Sequence, residues 1–207
     1  MIFLFKRWLK KYINDNNKII VVLLISIIAG IIAGLIIYNF SVKEERITLK
    51  EQIVGVMQNH GKEVIKTKVI YNGIKNNVGY ILMLFIFSIM LFGNFLICFL
   101  FAIKGIAIGI YMAILFGIFG PWWGILVIIM LVILVNIVYL PAMIYIGTTF
   151  VDYNNSVFDK EKSKFKNCTL SGTLLKTMFG IGIILSSIIL EQLMSNWVVK
   201  IYMSIKK

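Results

Sequence analysis

The chain has 207 residues, 60% of them hydrophobic, with a mean hydropathy of +0.93 and a formal net charge of +12. Soluble domains are typically about 45–50% apolar, so the composition excludes an ordinary soluble globule and leaves one small integral membrane domain over residues 1–207. The charge does not describe a nucleic-acid interface, because the basic residues flank apolar runs instead of interleaving with aromatics in one patch; anionic membrane lipids are the expected counter-charge. Two cysteines, Cys98 and Cys168, form neither a disulfide framework nor a metal-ligand spacing.

Residues 1–18 place Ile2, Phe5, Trp8, Leu9 and Tyr12 at helical spacing against Lys6, Arg7, Lys10 and Lys11. This pattern predicts an N-terminal amphipathic helix lying at the headgroup level, the plainer alternative being a basic tail that only sets topology. A secretory signal is disfavoured, since the apolar run that follows is too long and has no small-residue cleavage site after it. Ile19 to Phe40 is the first expected span. Gly30 and Gly34, beside Ala29 and Ala33, form a small-residue face that another helix backbone could approach, read first as an internal packing contact.

Residues 41–79 are the one substantial polar segment. Leu49, Ile53, Val56 and Met57, with Val64 and Ile65 further on, recur at helical intervals and predict one or two amphipathic helices broken near Asn59, His60 and Gly61. The segment is too long for a passive connector, so Leu49, Ile53, Val56 and Met57 are the partner-docking candidates; packing on the membrane or on the spans is the alternative. His60 reads as a solvated residue at a helix break.

From Ile81 to Val151 the only formal charge is Lys104. Such a run is about three times the roughly 20 residues that cross a hydrocarbon core. A second span over residues 78–103 is expected to end at Lys104 and Gly105 in a tight cytoplasmic turn, with the ammonium snorkelling to the interface. Residues 105–120 hold Gly105, Gly109, Gly117 and Gly120 and would be only about 24 Å long as a helix. That element borrows flanking residues, thins the bilayer or re-enters without crossing. Gly120 and Pro121 close it, and Trp122 with Trp123 form an interfacial anchor.

Residues 124–147 form the next span. Within it, Asn136 and Pro141 predict a kink whose freed carbonyl, near Ile137, is satisfied by a neighbouring group; a substrate pathway is the sharper alternative. Residues 152–173, with Lys160, Lys162, Lys164 and Lys166, read as a basic cytoplasmic loop. The last span covers residues 174–194 and carries Glu191, which either pairs with a basic group or reaches interfacial water. The sum is an all-α polytopic membrane helix bundle of about five transmembrane helices. Lysine and arginine are nearly balanced across the two sides. The density of the short flanking segments puts the N-terminus inside and the 41–79 loop outside, and a re-entrant third element would move the C-terminus inside.

No catalytic constellation, cofactor motif or metal-ligand set is legible: there is no Walker-type loop, histidine pair, serine elbow or intramembrane acid pair. The ordered interruptions are more specific. Lys104 and Gly105 with Gly109, then Asn136, Pro141, Ala142, Gly147 and Thr148, resemble the stage II sporulation protein M family. Gly30, Gly34 and Asn39, then Asn77, then Ser186, Ser187 and Glu191 extend the resemblance over most of the chain. Gly30, Gly34, Lys104, Gly105, Asn136, Pro141 and Glu191 are accordingly the structural and packing candidates. The 120–123 segment and the basic first loop are not part of the resemblance.

The resemblance implies a non-enzymatic scaffold in the mother-cell septal membrane of a spore former. There it recruits the peptidoglycan hydrolases called stage II sporulation proteins D and P for engulfment. The alternative is a permease-like subunit working with a separate ATPase, and a third reading is a homo-oligomer whose loop binds lipid.

Overall fold

In the computed structural model, which describes residues 2–59, 63–158 and 170–205, the apolar runs are all helical. The order is α1 (Ile2–Phe40), α2 (Lys43–Asn59), α3 (Glu63–Ser88), α4 (Gly93–Ile128), a short π-helical segment (Ile129–Ile133), α5 (Leu134–Phe158) and α6 (Leu170–Ile205), with no strand among the described residues. Three stretches are long and apolar enough to cross a membrane: Lys11–Phe40, Gly93–Phe158 and Leu170–Val199. The middle one has 66 residues and would be about 99 Å long if straight, over three times the hydrocarbon core. It is not straight.

The chain reverses at Gly120. Its φ of 73° and ψ of −178° leave the helical region, and the two arms then run antiparallel. Gly124 lies against Phe116, Lys104 against Tyr139, and Asn94 against Asn155. A backbone in this region is essentially open only to glycine. A Cβ at Gly120 would meet nothing within 4 Å, so the penalty for Gly120→Ala is conformational and not steric. That substitution is expected to cost about 1–3 kcal/mol, read as a lower thermal midpoint in mild detergent, while Gly55→Ala on α2, with equal space and no positive φ, should not.

Contacts give the direction of each remaining helix. α1 and α4 are parallel and pack glycine to glycine. Gly30 lies on Ala102 and Gly105, Gly34 on Ile106, Gly105 on Ile27, and Gly109 on Ile31. A Cβ at Gly30 would run into the Ala102 carbonyl oxygen and stand 3.0 Å from the Gly105 Cα. Small residues four apart on both helices let the backbones meet, and dispersion at that distance supplies the attraction that water does not provide in lipid. α3 runs antiparallel to α4, with Tyr80 against Phe101 and Ser88 at the start of α4, and parallel to α5, with Phe85 against Phe150. α6 returns antiparallel to α5, Gly180 on Ile146 and Phe179 on Tyr145. Leu23, Ile27, Leu84, Ile97, Phe101, Met143, Ile146, Phe150 and Ile184 fill the centre. Leu115, Phe119, Val127, Leu131, Val132 and Val198 fill a second cluster at the Gly120 end. α2 lies across that end, with Lys50 Nζ donating to the Gly117 carbonyl at 3.2 Å and Ile53 packed on the second cluster.

Several sequence expectations move. The turn expected at Lys104 and Gly105 is instead at residues 89–92, where Met90 N donates to Phe87 O and Gly93 N to Met90 O. Lys104 sits inside α4. The turn is hidden in the sequence because its carbonyls are satisfied from afar: Asn154 Nδ2 donates to Ser88 O at 2.9 Å and to Met90 O at 2.7 Å. The supposedly short 105–120 element is therefore the second part of a helical arm from Gly93 to Phe119, about 40 Å long and enough to cross the core. α3 runs through Gly79 without a break.

Nor is the basic N-terminus a separate interfacial helix. α1 is continuous from Ile2, and Tyr12, expected on the apolar side of a helix at the headgroup level, packs against the Tyr145 ring at 5.2 Å and hydrogen-bonds Thr148. α5 continues to Phe158 and α6 starts at Leu170, which shortens the expected 152–173 loop; Lys160, Lys162, Lys164, Lys166 and Cys168 lie outside the described residues, as does His60. α5 also passes through Pro141, and the irregular hydrogen bonding sits upstream of it in the π segment.

Candidate functional site

The hairpin of α4 and α5, closed by α3 and α6, brings the scattered polar interruptions of the apolar run to one place. Lys104 leaves α4 with its Nζ 4.9 Å from the Tyr139 ring centroid and 5.8 Å from that of Tyr80. Both rings present their negative faces to the ammonium, a favourable arrangement away from water. Tyr139 OH donates to Asn77 Oδ1 at 2.8 Å, and Asn77 Nδ2 donates to the Gly73 carbonyl at 2.9 Å, so a short polar chain ties α5 to α3. From α6, Ser187 and Glu191 face the same space, and Glu191 is the charged group within electrostatic reach of Lys104.

Asn77, Lys104, Tyr139, Ser187 and Glu191 line a cavity of about 230 Å³, completed by Asn136, Tyr111 and the apolar Ile108, Val132, Val135 and Ile188. Asn136 is held by its own helix. Its Nδ2 donates to Val132 O at 2.7 Å, inside the π segment, where displaced backbone bonding leaves a carbonyl to be met. Tyr80 OH, by contrast, is buried with no hydrogen-bond partner among the described residues. The arrangement sets an ammonium and a carboxylate at one cavity, which can accept a small polar group. It contains no base set beside a nucleophile, and the described residues hold no group of three or more His, Cys, Asp or Glu that could bind a metal.

The structure thus joins Lys104, Asn136 and Glu191 in one site, together with Asn77 and Ser187. It assigns Gly30, Gly34 and Gly105 to the α1–α4 seam, and it leaves Pro141 exposed and outside the cavity lining. Among the docking candidates, Leu49 and Ile53 are half-buried, Ile53 against the bundle, and the side chains of Val56 and Met57 lie outside the described residues. The outward face of α2 consists of Glu44, Ile47, Thr48, Glu51 and Gln52. Sequence reasoning missed Tyr80, Tyr111 and Tyr139. The signal for Tyr139 was its position three residues after Asn136, which puts both on one helix face.

Helices of this length and hydropathy, packed through a glycine seam around a polar cavity, define a helical membrane protein. The chain matches the family model of stage II sporulation protein M over residues 19–194 and belongs to that family. The matched region contains the whole cavity and the glycine seam. Neither the curated proteins nor the solved structures include a match to the chain. Membership marks the protein as a sporulation-related membrane protein.

Proposed function

We propose that this protein is a non-enzymatic scaffold that gathers peptidoglycan hydrolases, the stage II sporulation proteins D and P, at the septal membrane of the mother cell for engulfment. The observation that carries the proposal is the family match over residues 19–194. The architecture supports it. On this reading α1, α3, the two arms that meet at Gly120, and α6 are five crossings, with the N-terminus in the cytoplasm. α2 then lies on the wall side, fixed to the bundle by Lys50 and Ile53, with its polar face and Ile47 outward. A recruiting protein needs position and a complementary surface, and a helix laid across the end of a bundle offers both.

One observation favours a second reading, a permease-like subunit serving a separate ATPase: the polar cavity around Lys104, Asn136 and Glu191. Polar groups inside a bundle mark pathways in transporters. A mild-detergent pull-down of the tagged protein from sporulating cells, with bound proteins identified by mass spectrometry, separates the two. Septal wall hydrolases should be recovered, and reversing the α2 charges (Glu44→Lys with Glu51→Lys) should remove them while Asn136→Leu does not. A cytoplasmic ATPase recovered in their place, with activity lost on Asn136→Leu, would reject the scaffold.

A further inference from the structure

A second, larger groove lies at the junction of α1, α2 and the α4 hairpin, on the Gly120 side of the bundle. It encloses about 540 Å³. Leu35, Met112, Ala113 and Phe116 give it an apolar lining, which Arg46 and Lys50 share. Both cations are positioned by backbone. Arg46 Nε and Nη2 donate to Ser41 O at 2.9 Å and Asn39 O at 3.0 Å, at the C-terminal end of α1, and the guanidinium stands 5.9 Å from the Tyr38 ring centroid. Lys50 Nζ is held by Gly117 O.

All of these acceptors are neutral carbonyls, and the helix termini that offer them fix the cations without neutralising them. Guanidinium and ammonium groups retain further N–H donors beyond those used. The carboxylates of α2, Glu44, Glu45 and Glu51, are exposed, and none lines the groove. A pair of oriented cations lining the same groove as an apolar side-chain cluster, in a membrane bundle, matches one chemistry: a phosphate ester carrying acyl chains. We propose that this groove binds an anionic phospholipid, its phosphate on Arg46 and Lys50 and an acyl chain along Leu35, Met112 and Phe116. The bound lipid would brace α2 against the bundle and so hold its outward face in place, whichever partner that face receives.

The test uses full-length protein in mild detergent, titrated with phosphatidylglycerol, phosphatidylcholine or inorganic phosphate and read by native mass spectrometry. Phosphatidylglycerol should be retained in preference to phosphatidylcholine. Arg46→Gln with Lys50→Gln should weaken its retention about 30-fold, given what each basic group contributes near an anionic lipid surface, while exposed Lys43→Gln should not. Ala113→Trp, which fills the trough and leaves the charge intact, should weaken retention as well, with elution on size exclusion confirming the fold of each variant. Equal retention of the two lipids, or retention unchanged by both the charge and the trough variants, would overturn the proposal. Inorganic phosphate bound as tightly as phosphatidylglycerol would assign the cations to a free anion and overturn the lipid assignment.

Discussion

Gly30→Ala should destabilise the bundle by about 3 kcal/mol, at the upper end of what overpacking costs, and Gly105→Ala should behave alike. In an exposed helix the same change normally gains up to about 1 kcal/mol, because alanine is the better helix former. The sign inverts here because the added methyl meets backbone, not a flexible side chain. At Gly30 it collides with the Ala102 carbonyl, and at Gly105 with that of Ile27. Neither carbonyl can swing aside without separating α1 from α4 along their whole seam. Gly182 on α6 supplies the control, since a Cβ there meets nothing within 4 Å. Thermal unfolding of detergent-purified variants should therefore rank Gly30→Ala well below the parent and Gly182→Ala level with it or above. Equal midpoints for the two would mean that α1 and α4 do not pack as described.

The second large effect concerns the cavity. Lys104→Met removes the ammonium whose charge acts on Glu191 and leaves the carboxylate without a counter-charge in the cavity lining. Exposed pairs are worth little and fully enclosed ones several kcal/mol; Glu191 is exposed and Lys104 half-buried, so a loss of about 1–2 kcal/mol is expected. Adding Glu191→Gln to Lys104→Met should recover more than half of that loss, because the cost lies in the unpaired charge and not in the missing lysine. A double-mutant cycle on folded protein measures this directly. Purely additive single effects would show that the two groups do not interact across the cavity.

The sequence was informative where the physics is local. The glycines at positions 30 and 34 announced a close helix approach, Gly120 with Pro121 announced a break, and Asn136 announced a polar demand inside an apolar helix. It was silent where a requirement is met by residues distant in the chain. Residues 89–92 are themselves apolar, with only Ser88, Gly93 and Asn94 beside them to mark a turn, and the carbonyls of the turn are met by Asn154. Lys104 read as an interfacial anchor for the same reason: its compensation comes from Tyr80, Tyr139 and Glu191, on three other helices. The Pro141 kink was expected on sound local grounds, yet the displaced hydrogen bonding falls upstream, where the Asn136 amide takes up the Val132 carbonyl. α2 was recognised by its period, but which face it turns to the bundle depends on the cluster around Phe119, assembled from α4, the π segment and α6.

A photocrosslinking residue placed at Ile47, exposed on the outward face of α2, tests the scaffold most directly. Irradiated in sporulating cells, it should yield a covalent adduct with a septal wall hydrolase, whereas the same probe on the lipid-facing surface of α1, at Ile32, should not. Adducts with a hydrolase at neither position, together with capture of a cytoplasmic ATPase, would contradict a recruiting role for α2.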